Sequence, residues 1–98
     1  MQFLFMAANV MPNYKKMDAL LVSLYSTPNI KSPITDYYPK TKNVTVFVHA
    51  ASLREPIKDA RGAHTIYTLN ANLDYLTELS WRDDIEFIKA SQKMHSLK

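Results

Sequence analysis

The sequence predicts a small α/β domain, residues 1–98, with a short and mainly parallel sheet in the order β-α-loop-β-α-β-α-α. Residues 3–8 and 43–50 are apolar runs, typical of strands that are buried on both faces. Two alanines stand at the end of each run, and a residue of helix-capping type follows them. Two similar strand–helix units favour a parallel layout. The alternative is an α+β domain in which residues 64–95 form a helical hairpin against a two-stranded sheet.

The first unit begins with a strand over residues 3–8. Asn13 can cap the following helix, because its short side chain accepts hydrogen bonds from backbone N–H groups. The apolar positions of this helix recur at helical spacing. They are Met17, Leu20, Leu21 and Leu24. Pro28 ends the helix, since the residue before a proline is displaced from helical geometry.

The segment 28–42 is predicted to be a long loop. It has no hydrophobic periodicity, and it contains prolines at positions 28, 33 and 39. Loops of this length are uncommon in compact domains and are often functional or mobile.

The second unit begins with the strand at residues 43–50, which is rich in valine. Ser52 and Glu55 form a capping box and predict that a second helix begins there. Pro56 is acceptable in the first turn of such a helix. Gly62, the one glycine of the chain, is then expected at the left-handed end of that helix.

Residues 64–69 are ambiguous between strand and helix. The β-branched and aromatic residues favour a strand, followed by a helix that is capped at Asn70 or Asn72. A last helix is predicted from a second capping box, formed by Ser80 and Asp83.

Composition limits the possible functions. The chain contains no cysteine, 47% hydrophobic residues and a net charge of +3. It therefore has no disulfide framework and no thiol chemistry, which suits a cytoplasmic protein. No run approaches the ~20 apolar residues that are needed to span a bilayer. A positive charge this small permits a nucleic-acid partner but does not require one.

Catalytic and metal-binding signals are weak. His49 stands at the end of a predicted strand and is a weak candidate for a general base. The three histidines lack metal-ligand spacing, and one glycine cannot build a phosphate-binding loop. The sequence therefore predicts no cofactor and no metal, and it favours a protein that is not an enzyme.

Two stretches carry residues suited to binding a partner. The loop contributes Lys31, Tyr37, Tyr38, Lys40 and Lys42, a combination used in both protein and nucleic-acid interfaces. The predicted last helix contributes Trp81, Phe87 and Met94, which widen its apolar surface. Residues 81–94 could therefore also form a homodimer seam.

Three functional hypotheses follow. The first is a small regulator, inhibitor or adaptor, of the kind that phages and mobile elements encode, which acts by binding another protein. The second is a nucleic-acid-binding module that uses the loop tyrosines and lysines, together with Lys15 and Lys16. The third is a small hydrolase or transferase centred on His49.

Overall fold

The structure of the protein is a computed structural model, and it is described here for residues 11–92. The predicted strand at residues 3–8 lies outside the described residues. A short 3-10 helix, Tyr14–Lys16, precedes two α-helices and five strands. In chain order these are α1 (Ala19–Ser26), β1 (Tyr37–Tyr38), β2 (Asn43–His49), β3 (Arg61–Ala63), β4 (Ile66–Asn72), α2 (Leu73–Ser80) and β5 (Phe87–Ala90).

The five strands form one antiparallel sheet. β2 pairs with β4 along its whole length, while β1 and β5 share the opposite edge of β2. β3 extends the sheet by pairing with β4. The predicted mainly parallel sheet is therefore wrong. β3 and β4 are joined by only two residues, whereas a parallel pair needs a crossover of a dozen or more.

Alternation along β2 shows which face of the sheet is buried. Val44, Val46 and Val48 are fully buried, whereas the residues between them are only half-buried. The prediction of two apolar faces missed this difference. The core lies between one face of the sheet and the two helices, and its other large members include Leu21, Leu24, Leu69, Leu73, Leu76, Leu79, Ile85 and Ile88.

Helix α1 begins later than predicted. Its cap is Asp18, whose Oδ1 accepts from the backbone N–H of Leu21 at 3.1 Å and from that of Ala90 at 3.1 Å. Asn13 precedes the 3-10 helix instead, and its side chain makes no capping bond. The predicted apolar stripe does face the core, and the helix ends before Pro28 as expected.

The helix predicted from Ser52 is absent, because residues 50–60 form an irregular connection. Pro56 cannot donate a backbone hydrogen bond, and Asp59 has a φ of 65°, which interrupts helical geometry. The connection is held by other elements instead. The Arg54 N–H donates to Asp84 at 2.9 Å, and the Lys58 N–H donates to the Tyr75 hydroxyl at 3.0 Å.

Gly62 lies in β3 rather than at the end of a helix. Its φ is +136°, a conformation that side chains rarely allow. A Cβ at this position would lie 2.4 Å from the carbonyl oxygen of Ile66 on the paired strand. The glycine is therefore needed for β3 to approach β4. His64, with a φ of 62°, begins the two-residue turn between them.

The preference for a strand in residues 64–69 is confirmed for residues 66–69, which begin β4, whereas residues 64 and 65 form the turn before it. The helix that follows is capped by Asn72, whose Oδ1 accepts from the Tyr75 N–H at 2.8 Å. The last predicted helix is wrong, as is the helical hairpin of the α+β alternative. α2 ends at Ser80 instead of beginning there, and residues 87–90 pair with β2 as β5.

No helix within residues 11–92 is both long enough and apolar enough to cross a membrane.

Candidate functional site

The candidate site is the face of the sheet opposite the helices, called the open face below. Because side chains alternate along a strand, the residues between the buried valines of β2 belong to it. They are Asn43, Thr45, Phe47 and His49. Both described helices pack on the other face, where the core lies.

A row of four residues crosses the middle of the open face. Strand register places Phe47 beside Lys89 of β5 on one side and beside Thr68 of β4 on the other. Thr68 in turn pairs with Arg61 of β3. Neighbouring strands are roughly 4.8 Å apart, so a half-buried ring lies within a few strand spacings of two cationic residues. Lys89 and Arg61 are both exposed.

The next row is mainly apolar. His49 pairs with Phe87 of β5 and with Ile66 of β4. The His49 and Phe87 rings meet edge to face, with centroids 6.3 Å apart and an interplanar angle of 79°. Ile66 is 47% exposed. This row therefore extends the apolar part of the open face beyond Phe47.

The opposite end of the open face is polar. Asn43 pairs with Tyr38 of β1 and with Asn72 of β4. Tyr38 is 55% exposed. The turn from β1 to β2 contains the exposed residues Lys40 and Lys42, and the Lys42 N–H donates to the carbonyl oxygen of Tyr38 at 2.7 Å. Cationic residues therefore stand close to this end as well.

Acidic groups on the open face are few. Asp36 lies at its edge, where its Oδ2 accepts from the Thr45 hydroxyl at 3.3 Å. Asp59 borders the β4 end of the face. The central row carries two cationic residues and no acidic one, so the potential there favours an anionic ligand.

Another acidic cluster is neutralised away from the open face. Asp84 accepts from Arg82 Nε at 2.9 Å and Nη2 at 2.7 Å, as well as from the Arg54 N–H. These hydrogen bonds, led by those from Arg82, hold the pKa of the Asp84 carboxyl well below its usual range. Arg54 also forms an ion pair with Asp83. This cluster ties the 50–60 connection to the turn after α2.

The tyrosines and lysines of the predicted loop do not form one surface. Tyr37 is 2% exposed, and its hydroxyl donates to the carbonyl oxygen of Pro28 at 2.6 Å. Burial raises the pKa of this hydroxyl. Tyr38 alternates to the open face, with Lys40 and Lys42 nearby. Lys31 is exposed in the segment that precedes β1.

The residues predicted for the last helix are separated too. Trp81 is 56% exposed, and its Nε1 donates to the carbonyl oxygen of Met11 at 2.7 Å. It follows α2, whereas Phe87 lies on the open face. Met94 lies outside the described residues. The surface proposed over residues 81–94 is therefore not a continuous helical seam in the described part of the chain.

His49 has no arrangement for general-base catalysis among the described contacts. Its ring packs against Phe87, and no described hydroxyl or carboxylate is hydrogen-bonded to it. Within residues 11–92, no group of three or more acidic or histidine side chains could hold a metal ion. His49 is a half-buried residue of the open face that packs against Phe87.

Three residues of the central row were missed by the sequence analysis: Phe47, Arg61 and Lys89. The strict alternation of valine with other residues over 43–49 was the available signal for Phe47. Arg61 and Lys89 carried no such signal, because both lay in segments that were predicted to be helical.

Comparisons with known proteins found no similarity: neither a family model, nor a curated protein, nor a solved structure matches this chain.

Proposed function

We propose that the chain binds single-stranded nucleic acid on the open face of its sheet. One observation supports this proposal above the others: the central row places the Phe47 ring between Lys89 and Arg61. Surfaces that bind single strands combine aromatic rings, on which bases stack, with cations that attract the phosphates.

Each part of the open face has a place in this binding mode. The Phe47 ring offers a surface on which an unpaired base can stack, and the His49–Phe87 pair adds aromatic contact area beside it. Lys89 and Arg61 flank these rings and attract the backbone, while Lys40 and Lys42 lie near the far end. A duplex would not use the rings in this way, because its bases are already stacked on one another.

The hypothesis of a protein-binding regulator depended on two predicted features that differ in the structure. One of the two tyrosines is buried, and the last helix is a strand. Tyr38 and Trp81 remain exposed, so a protein partner stays a prediction. Around Tyr38 and Trp81, no row of charged residues like the central row favours a protein partner among the residues that the structure describes. The hypothesis of an enzyme centred on His49 has no described catalytic partner to support it.

The proposal can be tested by fluorescence anisotropy with labelled DNA and RNA single strands of about twelve nucleotides, a length within the range of known sites. Phe47→Ala should lose about 1–3 kcal/mol of binding free energy through lost stacking. Lys89→Ala should weaken binding less, and it should reduce the salt slope by about 0.7, the value for one phosphate contact on a single strand.

Lys15→Ala is the matched control, because Lys15 is exposed on the 3-10 helix that precedes α1 and does not belong to the sheet. It removes the same charge and should leave both affinity and salt slope close to those of the unchanged protein. Equal losses in the Lys15 and Lys89 variants would show nonspecific attraction and would overturn the proposal. Absence of binding at low salt would overturn it as well.

A further inference from the structure

A polar groove of about 300 Å³ opens at the Asn43 end of the open face. Three asparagines line it together with residues from the 50–60 connection and from α2. The full lining is Asn43, Lys58, Asp59, Asn70, Ala71, Asn72 and Tyr75. Its volume lies near the lower end of the range for small-molecule sites, roughly 300–1,000 Å³.

Strand pairing decides where the backbone of Asn70 points. The partner of Asn70 on β2 is Thr45, and both backbone groups of Thr45 point to the other edge of β2. The Thr45 N–H donates to the backbone carbonyl oxygen of Asp36 at 3.2 Å, and the Thr45 carbonyl oxygen accepts from the Ser91 N–H at 2.9 Å. Thr45 and Asn70 are therefore a non-hydrogen-bonded pair. Asn70 must then direct its own N–H and carbonyl away from β2.

No strand pairs with Asn70 on that side among the described residues. β3 ends its pairing with β4 at Arg61 and Thr68, two residues before Asn70. The edge beside Asn70 is bordered by Lys58 and Asp59 of the groove instead. A backbone donor and a backbone acceptor thus stand next to each other at the groove.

The asparagine side chains add further polar groups. Asn70 Nδ2 donates to the Thr45 hydroxyl at 3.0 Å, which leaves its Oδ1 as an acceptor. Asn72 uses its Oδ1 to cap α2, which leaves its Nδ2 as a donor. Asparagine amides pair well with adenine, whose edges present a donor beside an acceptor.

We infer that this groove binds one unpaired nucleobase of the nucleic-acid strand that lies on the open face, and that it prefers adenine, the usual partner of asparagine amides, to thymine. The inference rests on the proposed function and specifies it further. Phe47 and its neighbours bind the nucleic-acid strand whatever its base sequence, since every base can stack. The groove reads the edge of one base, and Lys58 lies where it can meet the adjoining phosphate.

The first test compares oligo-dA with oligo-dT of equal length in the anisotropy assay. The unchanged protein should bind oligo-dA several-fold more tightly. Asn70→Ala should remove most of this preference while it retains binding to oligo-dT. Asn29→Ala is the matched control, because Asn29 is an exposed asparagine in the segment after α1 and should keep the preference.

The second test follows backbone amides by two-dimensional NMR during titration with oligo-dA. The Asn70 amide should shift, together with amides of the central row around Phe47. Shifts at the central row without a shift at Asn70 would overturn the inference and leave the proposed function standing. Absence of shifts on the whole open face would overturn both. Equal affinity for oligo-dA and oligo-dT would also overturn the inference.

Discussion

The two faces of the sheet are made from the same strands and differ in almost every property. On the covered face, aliphatic side chains such as Val46, Leu69 and Ile88 are excluded from water by α1 and α2. On the open face, their immediate neighbours in sequence are Phe47, Asn70 and Lys89. The covered face supplies the buried core, and the open face carries the exposed and half-buried side chains.

This contrast arises because the side chains of a strand alternate between the two faces of the sheet. In β2, valines occupy every position toward the core, whereas asparagine, threonine, phenylalanine and histidine alternate with them. Aromatic rings that were needed only for the core would be expected among the buried positions. Phe47 of β2 lies on the opposite face, in the same row as Lys89 and Arg61.

The comparison predicts its largest effect at two adjacent residues of β5. Ile88→Ala removes a fully buried side chain and should cost about 2–5 kcal/mol of unfolding free energy. Lys89→Ala, on the open face, should change stability by no more than about 0.5 kcal/mol. Urea unfolding of both variants measures this difference. Similar losses in the two variants would contradict the assignment of the faces.

Gly62 tests whether the open face depends on the β3–β4 hairpin. Gly62→Ala places a Cβ against the Ile66 carbonyl in an unfavourable conformation, and it should cost about 2 kcal/mol or more. Arg61 would then be displaced from the central row, so nucleic-acid affinity should also fall. Thermal unfolding and anisotropy measure the two effects, and an unchanged melting temperature would contradict the prediction.

Asp84 joins the turn after α2 to the 50–60 connection, and its side chain is only 3% exposed. Asp84→Asn should destabilise the protein by about 2 kcal/mol, because it weakens charge-assisted hydrogen bonds with Arg82. The folded-state pKa is lowered, so this stabilisation is complete above the unfolded pKa of about 3.9 and is lost as pH falls below it.

Acid titration of the unfolding free energy checks that prediction. The unchanged protein should lose stability below about pH 4, and the Asp84→Asn variant should lose less over the same range. Parallel acid curves for the two proteins would show that Asp84 does not contribute as described.

A smaller effect on stability is expected at Tyr25, which links α1 to α2. Its hydroxyl donates to the Leu73 carbonyl at 2.8 Å and lies 3.1 Å from the Thr77 hydroxyl. Tyr25→Phe should therefore cost about 1 kcal/mol. Burial raises the pKa of Tyr25 to about 12, so its contribution should be present below pH ~10 and decline as pH rises above it. Unfolding at neutral and alkaline pH distinguishes the variant, and identical pH dependence would contradict the assignment.

The smallest effect is expected at Trp81, which is exposed outside the open face. Trp81→Ala should leave the affinity for single strands unchanged, because only the open face is expected to contact them. Anisotropy beside the Phe47→Ala variant provides the comparison. A loss at Trp81 as large as the loss at Phe47 would move the binding surface to the turn after α2.

The sequence by itself determined several local features of this protein. Helical periodicity identified the stripe of α1 and its end before Pro28. Propensity favoured a strand in the region of β4, followed by a helix capped at Asn70 or Asn72, and the structure has its cap at Asn72. These features depend on residues that are close along the chain. The sequence also identified Tyr38, Lys40, Lys42 and Phe87, although for surfaces that the structure divides differently.

The tertiary structure alone decided the sheet order and the candidate site. Ser52, Glu55, Ser80 and Asp83 have the spacing of capping boxes, yet no helix begins there. Those segments are fixed instead by pairing with β2 and by hydrogen bonds to Asp84 and Tyr75. Phe47, Lys89 and Arg61 come together only through strand register, because they belong to three strands that are distant in sequence. Long-range pairing outweighed local propensity, since a strand edge that satisfies backbone hydrogen bonds and buries apolar side chains stabilises more than a helix cap.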